Sequence, residues 1–147
     1  MKTVHVIIAM IGISTVSCAQ DIPQSQVPSV VLNAFSADYP NATDVDWEKK
    51  GEIFNVDFEI GGTDHEAWLD ASGKVIKLEK DIKKASLPAP VTATIANRFK
   101  EYKIDEAEQI EKDGKTYYKV ELDGTTGDRT VFFDTAGKEI TDTKFLF

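Results

Sequence analysis

AWLDASGKVI, residues 67–76, returns near the other end of the chain as VFFDTAGKEI, residues 131–140. Each copy has two large apolar residues before an aspartate, and a glycine and a lysine after it. This order is typical of two strands joined by a tight turn, because an aspartate side chain can close the turn and glycine adopts a positive φ at little cost. Asp70 and Asp134 are 64 residues apart (134 − 70). An internal repeat therefore sets the fold.

The composition is that of a folded, acidic protein. The chain has 147 residues, of which 41% are hydrophobic and 29% charged, and its net charge is −8. This length fits one domain or two small ones, and the apolar share is enough for a packed core. Nucleic acid is a poor candidate partner, because no basic patch is available to neutralise phosphates. Anionic membrane surfaces are disfavoured for the same reason.

Residues 1–19 have the pattern of an export signal. Lys2 is followed by an apolar run over residues 4–13, and the small residues 17–19 form a cleavage site before residue 20. The apolar run is shorter than the roughly 20 residues of a membrane-spanning helix. We therefore expect a periplasmic or secreted protein.

Cys18, the single cysteine, has two interpretations. It is either the lipidated first residue of a lipoprotein anchored in the outer membrane, or a small residue in an ordinary cleavage site recognised through Ser17 and Ala19. Thr15 stands three positions before it, where lipoproteins usually have Leu, Ile or Val. In both cases the exported body has no cysteine pair and depends on its core, although exported compartments permit disulfides.

The first repeat is predicted to be one helix followed by four strands. Residues 20–26 are polar and are interpreted as a linker. A helix of about three turns should begin at Val27-Pro28, since proline suits the first turn, and end at Pro40-Asn41. Strands are expected over 45–49, 54–60, 65–69 and 75–78. The alternation of apolar and polar residues predicts a sheet with one buried and one solvated face.

The second repeat begins at Leu87-Pro88, 60 residues after the first (88 − 28). Its apolar stripe runs from Val91 through Ile95 and Phe99 to Tyr102, which predicts a helix nearly one turn longer than the first. Strands are expected over 118–122, 129–133 and 139–143.

The architecture that follows is α+β: a tandem repeat of a helix packed on a four-stranded antiparallel sheet. A unit of about 60 residues is marginal alone, so we expect the two units to share a core or to join edge to edge. The predicted boundaries are 1–19 for the signal peptide, 20–26 for the linker, 27–82 for the first repeat and 83–147 for the second.

Four segments, VP at 27–28, VDW at 45–47, FNVDF at 54–58 and WLDASGK at 68–74, carry a family resemblance. The chain resembles the PepSY-like proteins of the β-lactamase-inhibitor-like type, which are common as exported proteins of Bacteroidetes, and the resemblance covers both repeats. It implies the β-lactamase-inhibitor-protein-like fold, one continuous curved sheet, and a non-enzymatic, protein-binding role. The true β-lactamase inhibitor proteins carry disulfides in their repeats, whereas residues 20–147 contain no cysteine. Specific β-lactamase inhibition is therefore not inferred.

The supply of catalytic and metal-binding residues is small. His65 is the one histidine outside residues 1–19, so multi-histidine metal sites are limited from the start, and we interpret it as a strand residue beside a turn. Glycine-rich phosphate loops and Cys/His metal spacings are absent from the sequence. Five carboxylates could form an acid/base pair or a Ca²⁺ cluster, but alternation explains them as the solvated face: Asp44, Asp46, Glu48, Asp57 and Glu59. We expect no enzyme activity, cofactor or metal.

The aromatic residues are the better candidates for a functional surface. Trp68 and Phe132 point to the face opposite Leu69 and Phe133. If the helices cover Leu69 and Phe133, then Trp68 and Phe132 lie on an open sheet face, where aromatic anchors suit protein binding. In the alternative, Trp68 and Phe132 are core residues and the packing of the repeats partly covers Leu69 and Phe133. The candidate binding residues are Trp47, Trp68, Tyr117 and Phe132.

The sequence thus favours an exported, monomeric, non-catalytic binding module that holds a protein or peptide on its open sheet face. Inhibition of a secreted hydrolase is one form of this role. The alternative is an envelope protein with a structural role, or a carrier of a small ligand or cation on its acidic face. A lipid anchor at Cys18 is the only membrane contact that the sequence offers, and the sequence does not identify the partner.

Overall fold

The computed structural model describes residues 20–146. The predicted signal peptide over 1–19 and the lipidation of Cys18 lie outside these residues. Over the described range the protein is α+β, and no helix there has the length and apolar character needed to cross a membrane. The helices are α1 (Ser29–Asp38) and α2 (Ala89–Arg98), and the strands are β1 (Gln20–Asp21), β2 (Thr43–Lys50), β3 (Ile53–Ile60), β4 (Thr63–Leu69), β5 (Val75–Asp81), β6 (Tyr102–Lys112), β7 (Lys115–Gly124), β8 (Arg129–Asp134) and β9 (Glu139–Ile140).

These nine strands form one antiparallel sheet in chain order. The two repeats meet where β5 pairs with β6, from Lys77 opposite Lys112 to Asp81 opposite Glu108. Of the two predicted arrangements, the structure has the repeats joined edge to edge. The junction gives each repeat a hydrogen-bonded neighbour and leaves no free edge in the middle of the sheet.

Residues 20–26 are not a linker. Gln20 and Asp21 pair with β2, and Ile22 N donates to Trp47 O at 2.9 Å. The same bond recurs 60 residues later, where Ile82 N donates to Ala107 O at 2.9 Å. A short 3-10 turn precedes the helix in both repeats. The segment is therefore the opening of the first repeat, and its polar composition reflects an exposed edge.

The two helices have equal length, ten residues each. The predicted extra turn of the second helix is wrong, because Phe99 leaves the helical region at φ −123° and ψ 44° and Tyr102 begins β6. The inserted residues lengthen β6 instead, to eleven residues against eight in β2. The last strand is also shorter than predicted: β9 ends at Ile140, and residues 141–146 leave the sheet.

Both helices lie on the sheet face of Leu69 and Phe133, which are fully buried. The alternative that put Trp68 and Phe132 on this face is therefore wrong. Each repeat has its own core. The first contains Val27, Val31, Phe35, Trp47, Phe54, Val56, Phe58, Ala67 and Leu69. The second contains Leu87, Val91, Ile95, Phe99, Ala107, Tyr118, Val120, Leu122, Val131 and Phe133.

Each helix rests on the hairpin turn of its own repeat. Asp70 Oδ1 accepts hydrogen bonds from the backbone N of Ser72 (2.9 Å) and of Lys74 (3.1 Å), which closes the β4–β5 turn. Gly73 then has φ +86°, and a Cβ built on it would lie 2.8 Å from Ala34 Cβ in α1. The repeated sequence that sets the fold thus also includes a point of close contact between helix and turn.

Candidate functional site

The helices leave the second face of the sheet without a helical layer, and we call it the open face. It carries the strand side chains that alternate with the two cores, and most of them are charged or aromatic. In the first repeat and at the junction these include Asp46, Glu48, Asn55, Asp57, Glu66, Trp68, Lys77 and Glu79. In the second repeat they include Glu108, Ile110, Tyr117, Lys119 and Phe132.

Four carboxylates form a row across the first half of the open face, here called the acidic row. The pairing register places one from each of strands β2 to β5 side by side: Asp46, Asp57, Glu66 and Glu79. Directly opposed residues on neighbouring strands have Cβ atoms roughly 5 Å apart, where like charges destabilise a sheet. The acidic row therefore lowers the folding stability of the protein.

Glu66, inside the acidic row, holds a proton to an unusually high pH. Burial and the charges of Asp57 and Glu79 raise its pKa to about 7, against the opposing effects of a hydrogen bond from Asn55 and the charge of Lys77. Asn55 Nδ2 donates to Glu66 Oε1 at 2.6 Å, while Asn55 Oδ1 is buried with no hydrogen-bond partner among residues 20–146. Burial also raises the pKa of Asp57.

A buried ion pair adjoins the acidic row. Lys77 Nζ lies 2.8 Å from Glu79 Oε1, and the two side chains are only 5% and 10% exposed. The same ammonium lies 3.5 Å from the centroid of the Trp68 ring and donates to Leu146 O at 2.9 Å. A buried charge needs this kind of compensation by a counter-charge, an aromatic face and a carbonyl. Lys77 and Trp68 thus fix each other's position at the centre of the open face.

The second half of the open face has an apolar cluster. Its buried members are Ile110, Phe132 and Leu146, and the partly buried Tyr117 and Ile140 pack against them. Leu146 does not come from the sheet but from the segment that follows β9. This segment folds back over the open face and covers the ring of Phe132, which is 9% exposed.

One group of carboxylates in the described part of the chain has the spacing of metal ligands. Oxygens of Glu106, Glu108 and Glu121 lie within 4.8 Å of one another. Lys119 Nζ, however, lies 2.8 Å from Glu108 Oε1. Burial lowers the pKa of Lys119, but this hydrogen bond and the surrounding carboxylates outweigh burial and raise the pKa overall. The lysine ammonium is therefore already paired with Glu108 of this group.

Comparison with known proteins assigns the family. A family model described as "Putative beta-lactamase-inhibitor-like, PepSY-like" matches the chain over residues 14–61 and 52–141. The chain belongs to this family. The two matches together run from residue 14 to residue 141 and therefore include both of the repeats that the sheet joins. None of the curated proteins matches the chain.

Solved structures of Bacteroides proteins share the fold of this PepSY-like chain. A DUF2874 family protein from Bacteroides uniformis superposes with a TM-score of 0.70 at 19% identity, covering 77% of this chain and 86% of that one. A protein from Bacteroides eggerthii described as "putative periplasmic" has a TM-score of 0.71 at 17% identity, covering 78% and 86%. A BLIP-like protein from Bacteroides fragilis has a TM-score of 0.66 at 22% identity, covering 81% and 84%. At these identities the likeness shows the fold alone.

The predicted binding residues of this PepSY-like chain do not share one face. Trp68, Tyr117 and Phe132 lie on the open face. Trp47 does not: it is 4% exposed in the first core, with its ring 5.2 Å from that of Phe35 in α1. Trp47 is therefore not a residue of the open face, which corrects its prediction as a binding residue. The sequence already indicated this, because Val45 and Trp47 alternate with Asp46 and Glu48.

Two parts of the site were missed by the sequence reasoning. Alternation in the sequence of β5 indicates that Lys77 and Glu79 share one face, but only the strand pairing shows that this is the face of Trp68. The apolar residue Leu146 was not assigned a role, because a segment beyond the last strand shows no periodicity.

His65 is a strand residue next to a turn, as predicted, with its ring stacked on Phe58 at 5.2 Å.

Proposed function

We propose that this chain is an exported, non-catalytic binding module that holds a protein or peptide segment on its open face. The observation that carries the proposal is the difference between the two sides of the sheet. One side is buried by α1 and α2, whereas the other presents charged side chains and the partly exposed Trp68. The inhibitor-like description of the family supports binding without catalysis, and the Bacteroides eggerthii neighbour supports a periplasmic location.

The energetics of the open face favour a binding role. The acidic row brings like charges together, which costs stability, and the fold does not need carboxylates at these positions to bury its cores. Trp68 combines a large contact area with a position fixed by Lys77. Rigid aromatic side chains of this kind contribute much of the affinity at protein interfaces. Inhibition of a secreted hydrolase is the specific form of binding that we propose. A cation carrier is less well supported, because Lys119 already pairs with Glu108 of the glutamate group.

A quantitative capture experiment tests the proposal. The chain from residue 20 onwards, immobilised on beads, is exposed to envelope extract of its native cell, and recovered proteins are measured by mass spectrometry. We expect Trp68→Ala to reduce recovery of the specific partner roughly ten-fold or more, because loss of a central aromatic anchor typically costs 2 kcal/mol or more.

The matched control is Val30→Ala, which changes a 49% exposed side chain on α1 at the opposite side of the sheet. This variant should recover as much of the partner as the unmodified chain does. Melting curves of both variants establish that they are folded. Equal recovery by folded Trp68→Ala would remove the proposed surface.

A further inference from the structure

The segment after β9 packs on the open face. Once the sheet ends at Ile140, the chain turns back, and residues Lys144–Leu146 form one 3-10 turn closed by Leu146 N donating to Thr143 O at 2.8 Å. Leu146 is fully buried in the apolar cluster, although it belongs to no strand or α-helix. This segment thus inserts an aliphatic side chain into the apolar cluster.

The contacts of Leu146 define what the open face recognises at this point. Its side chain packs against Ile110 and Phe132 of the second repeat. Its carbonyl oxygen accepts a hydrogen bond from Lys77 Nζ of the first repeat, at 2.9 Å. Lys77 is itself held by Glu79 and by the Trp68 ring. The site therefore takes an aliphatic side chain together with its own backbone carbonyl, which any extended or turn-forming peptide segment can supply.

The internal repeat shows that the apolar cluster is a departure from the common plan. By the spacing of the strands, Ile110 corresponds to Lys50 (110 − 60) and Phe132 corresponds to Trp68 (132 − 64). The first repeat thus has a lysine where the second has a fully buried isoleucine. Apolar residues on a face that is otherwise solvated need a cover, and in this structure Leu146 is part of that cover.

We propose that the apolar cluster is the docking site for a leucine-like residue of a partner peptide segment, and that residues 144–146 occupy this site in cis. The inference rests on the proposed function, since it names the partner chemistry and the regulation of the same open face. A partner segment binds by replacing Leu146: its aliphatic side chain enters the cluster and its carbonyl accepts the hydrogen bond from Lys77. Because a partner must displace residues 144–146, a segment that binds the site only weakly does not occupy it.

The test uses the chain's own segment as the probe. A fluorescent peptide with the sequence of residues 141–147, TDTKFLF, is titrated with the full chain and with its Leu146→Ser variant, and binding is measured by fluorescence anisotropy. We expect the variant, whose site is vacated, to bind the peptide saturably and at least ten-fold more tightly than the full chain. The same peptide carrying Leu146→Ala should lose about ten-fold or more in affinity, because a buried leucine side chain is removed.

Several outcomes overturn the inference. A folded Leu146→Ser variant that does not bind the peptide, or that binds it no better than the full chain does, excludes displacement. If this variant does not fold, a chain ending at Thr141 replaces it, and failure of both to fold makes the segment an integral part of the core. A dimer of the native chain that Leu146→Ser abolishes would identify the occupant as a second copy.

The inference and the proposed function fail separately. If the peptide does not bind but capture of the partner depends on Trp68, only the site occupied by residues 144–146 is excluded. If the peptide binds but capture is insensitive to Trp68→Ala, partner binding through Trp68 is excluded while the apolar site stands.

Discussion

At the scale of single residues, Glu66 has the most consequential environment on the open face. Its pKa is raised to about 7 mainly by burial, so the folded protein binds a proton that the unfolded chain releases near pH 4.5. Stability from such a raised carboxyl pKa is complete below the unfolded value and is lost as the pH rises through the folded value. Ionisation of Glu66 should therefore contribute a loss of folding stability at pH 8.5 that is nearly absent at pH 4.5.

Glu66→Gln tests that assignment. A neutral amide removes the cost of ionisation, so we expect the variant to be more stable than the unmodified chain by about 1–2 kcal/mol at pH 8.5, a value reduced for solvent screening at this half-buried site. This difference in stability between the variant and the unmodified chain should nearly vanish at pH 4.5. Urea unfolding at the two pH values measures both.

The control for this prediction is Glu52→Gln, in the exposed turn between β2 and β3, which should change stability by less than about 0.5 kcal/mol at either pH. A stability gap for Glu66→Gln that is the same at both pH values would contradict the assigned pKa.

Individual residues also show where sequence reasoning lost information. Trp68 and Leu69 are adjacent and both large and apolar, so alternation in β4 alone did not decide which of them faces the helix. The neighbouring strand β5 decides it: Lys77 lies opposite Trp68 in the register. A lysine is tolerated there because Glu79 and the aromatic ring compensate its charge. Cross-strand register is a property of pairs of strands, which periodicity in one strand does not contain.

At the scale of secondary-structure elements, the contact between hairpin turn and helix holds each repeat together. Gly73 has both a positive φ and no space for a Cβ, since Ala34 Cβ and Val30 O would lie within 2.8 and 2.9 Å of it. Gly137 repeats the arrangement against Pro90 O of α2. The glycines that identified the repeat in the sequence are therefore required for two independent reasons, conformation and packing.

Gly73→Ala should destabilise the protein by about 2–4 kcal/mol, the sum of a left-handed conformation and overpacking against α1. Gly51→Ala is the matched comparison, because Gly51 has φ +63° but open space around it. Only the conformational cost of about 1 kcal/mol applies to it. Urea unfolding of the two variants at neutral pH gives the difference directly, and equal destabilisation would refute the close packing of α1 on the turn.

Most elements could be predicted from the sequence, but their ends could not. Local signals in the sequence mark the beginning of each helix, at Pro28 and Pro88, and the order of the strands. These signals are proline, turn glycines and alternation. The end of α2 and the short β1 depend on tertiary contacts instead. Gln20 and Asp21 form a strand only because β2 offers them an edge, and a polar dipeptide has no strand pattern of its own.

At the scale of the whole molecule, duplication accounts for the fold. The differences between the two repeats account for the candidate site. Both repeats place a helix on the same side of one sheet, and each has a separate core. The open face is then as wide as the sheet itself. Its two halves differ, with the acidic row and Trp68 in the first and the apolar cluster in the second. The sequence could reveal the repeat, but not which surface the duplication leaves uncovered.

Photo-crosslinking from opposite sides of the sheet tests most directly whether the open face is the binding surface. Benzoylphenylalanine is placed either at Asp57, exposed in the acidic row, or at Val30, exposed on α1, and the protein is irradiated in its native cells. We predict a discrete adduct with a second protein from position 57 and none from position 30. An adduct from position 30 alone would contradict the account.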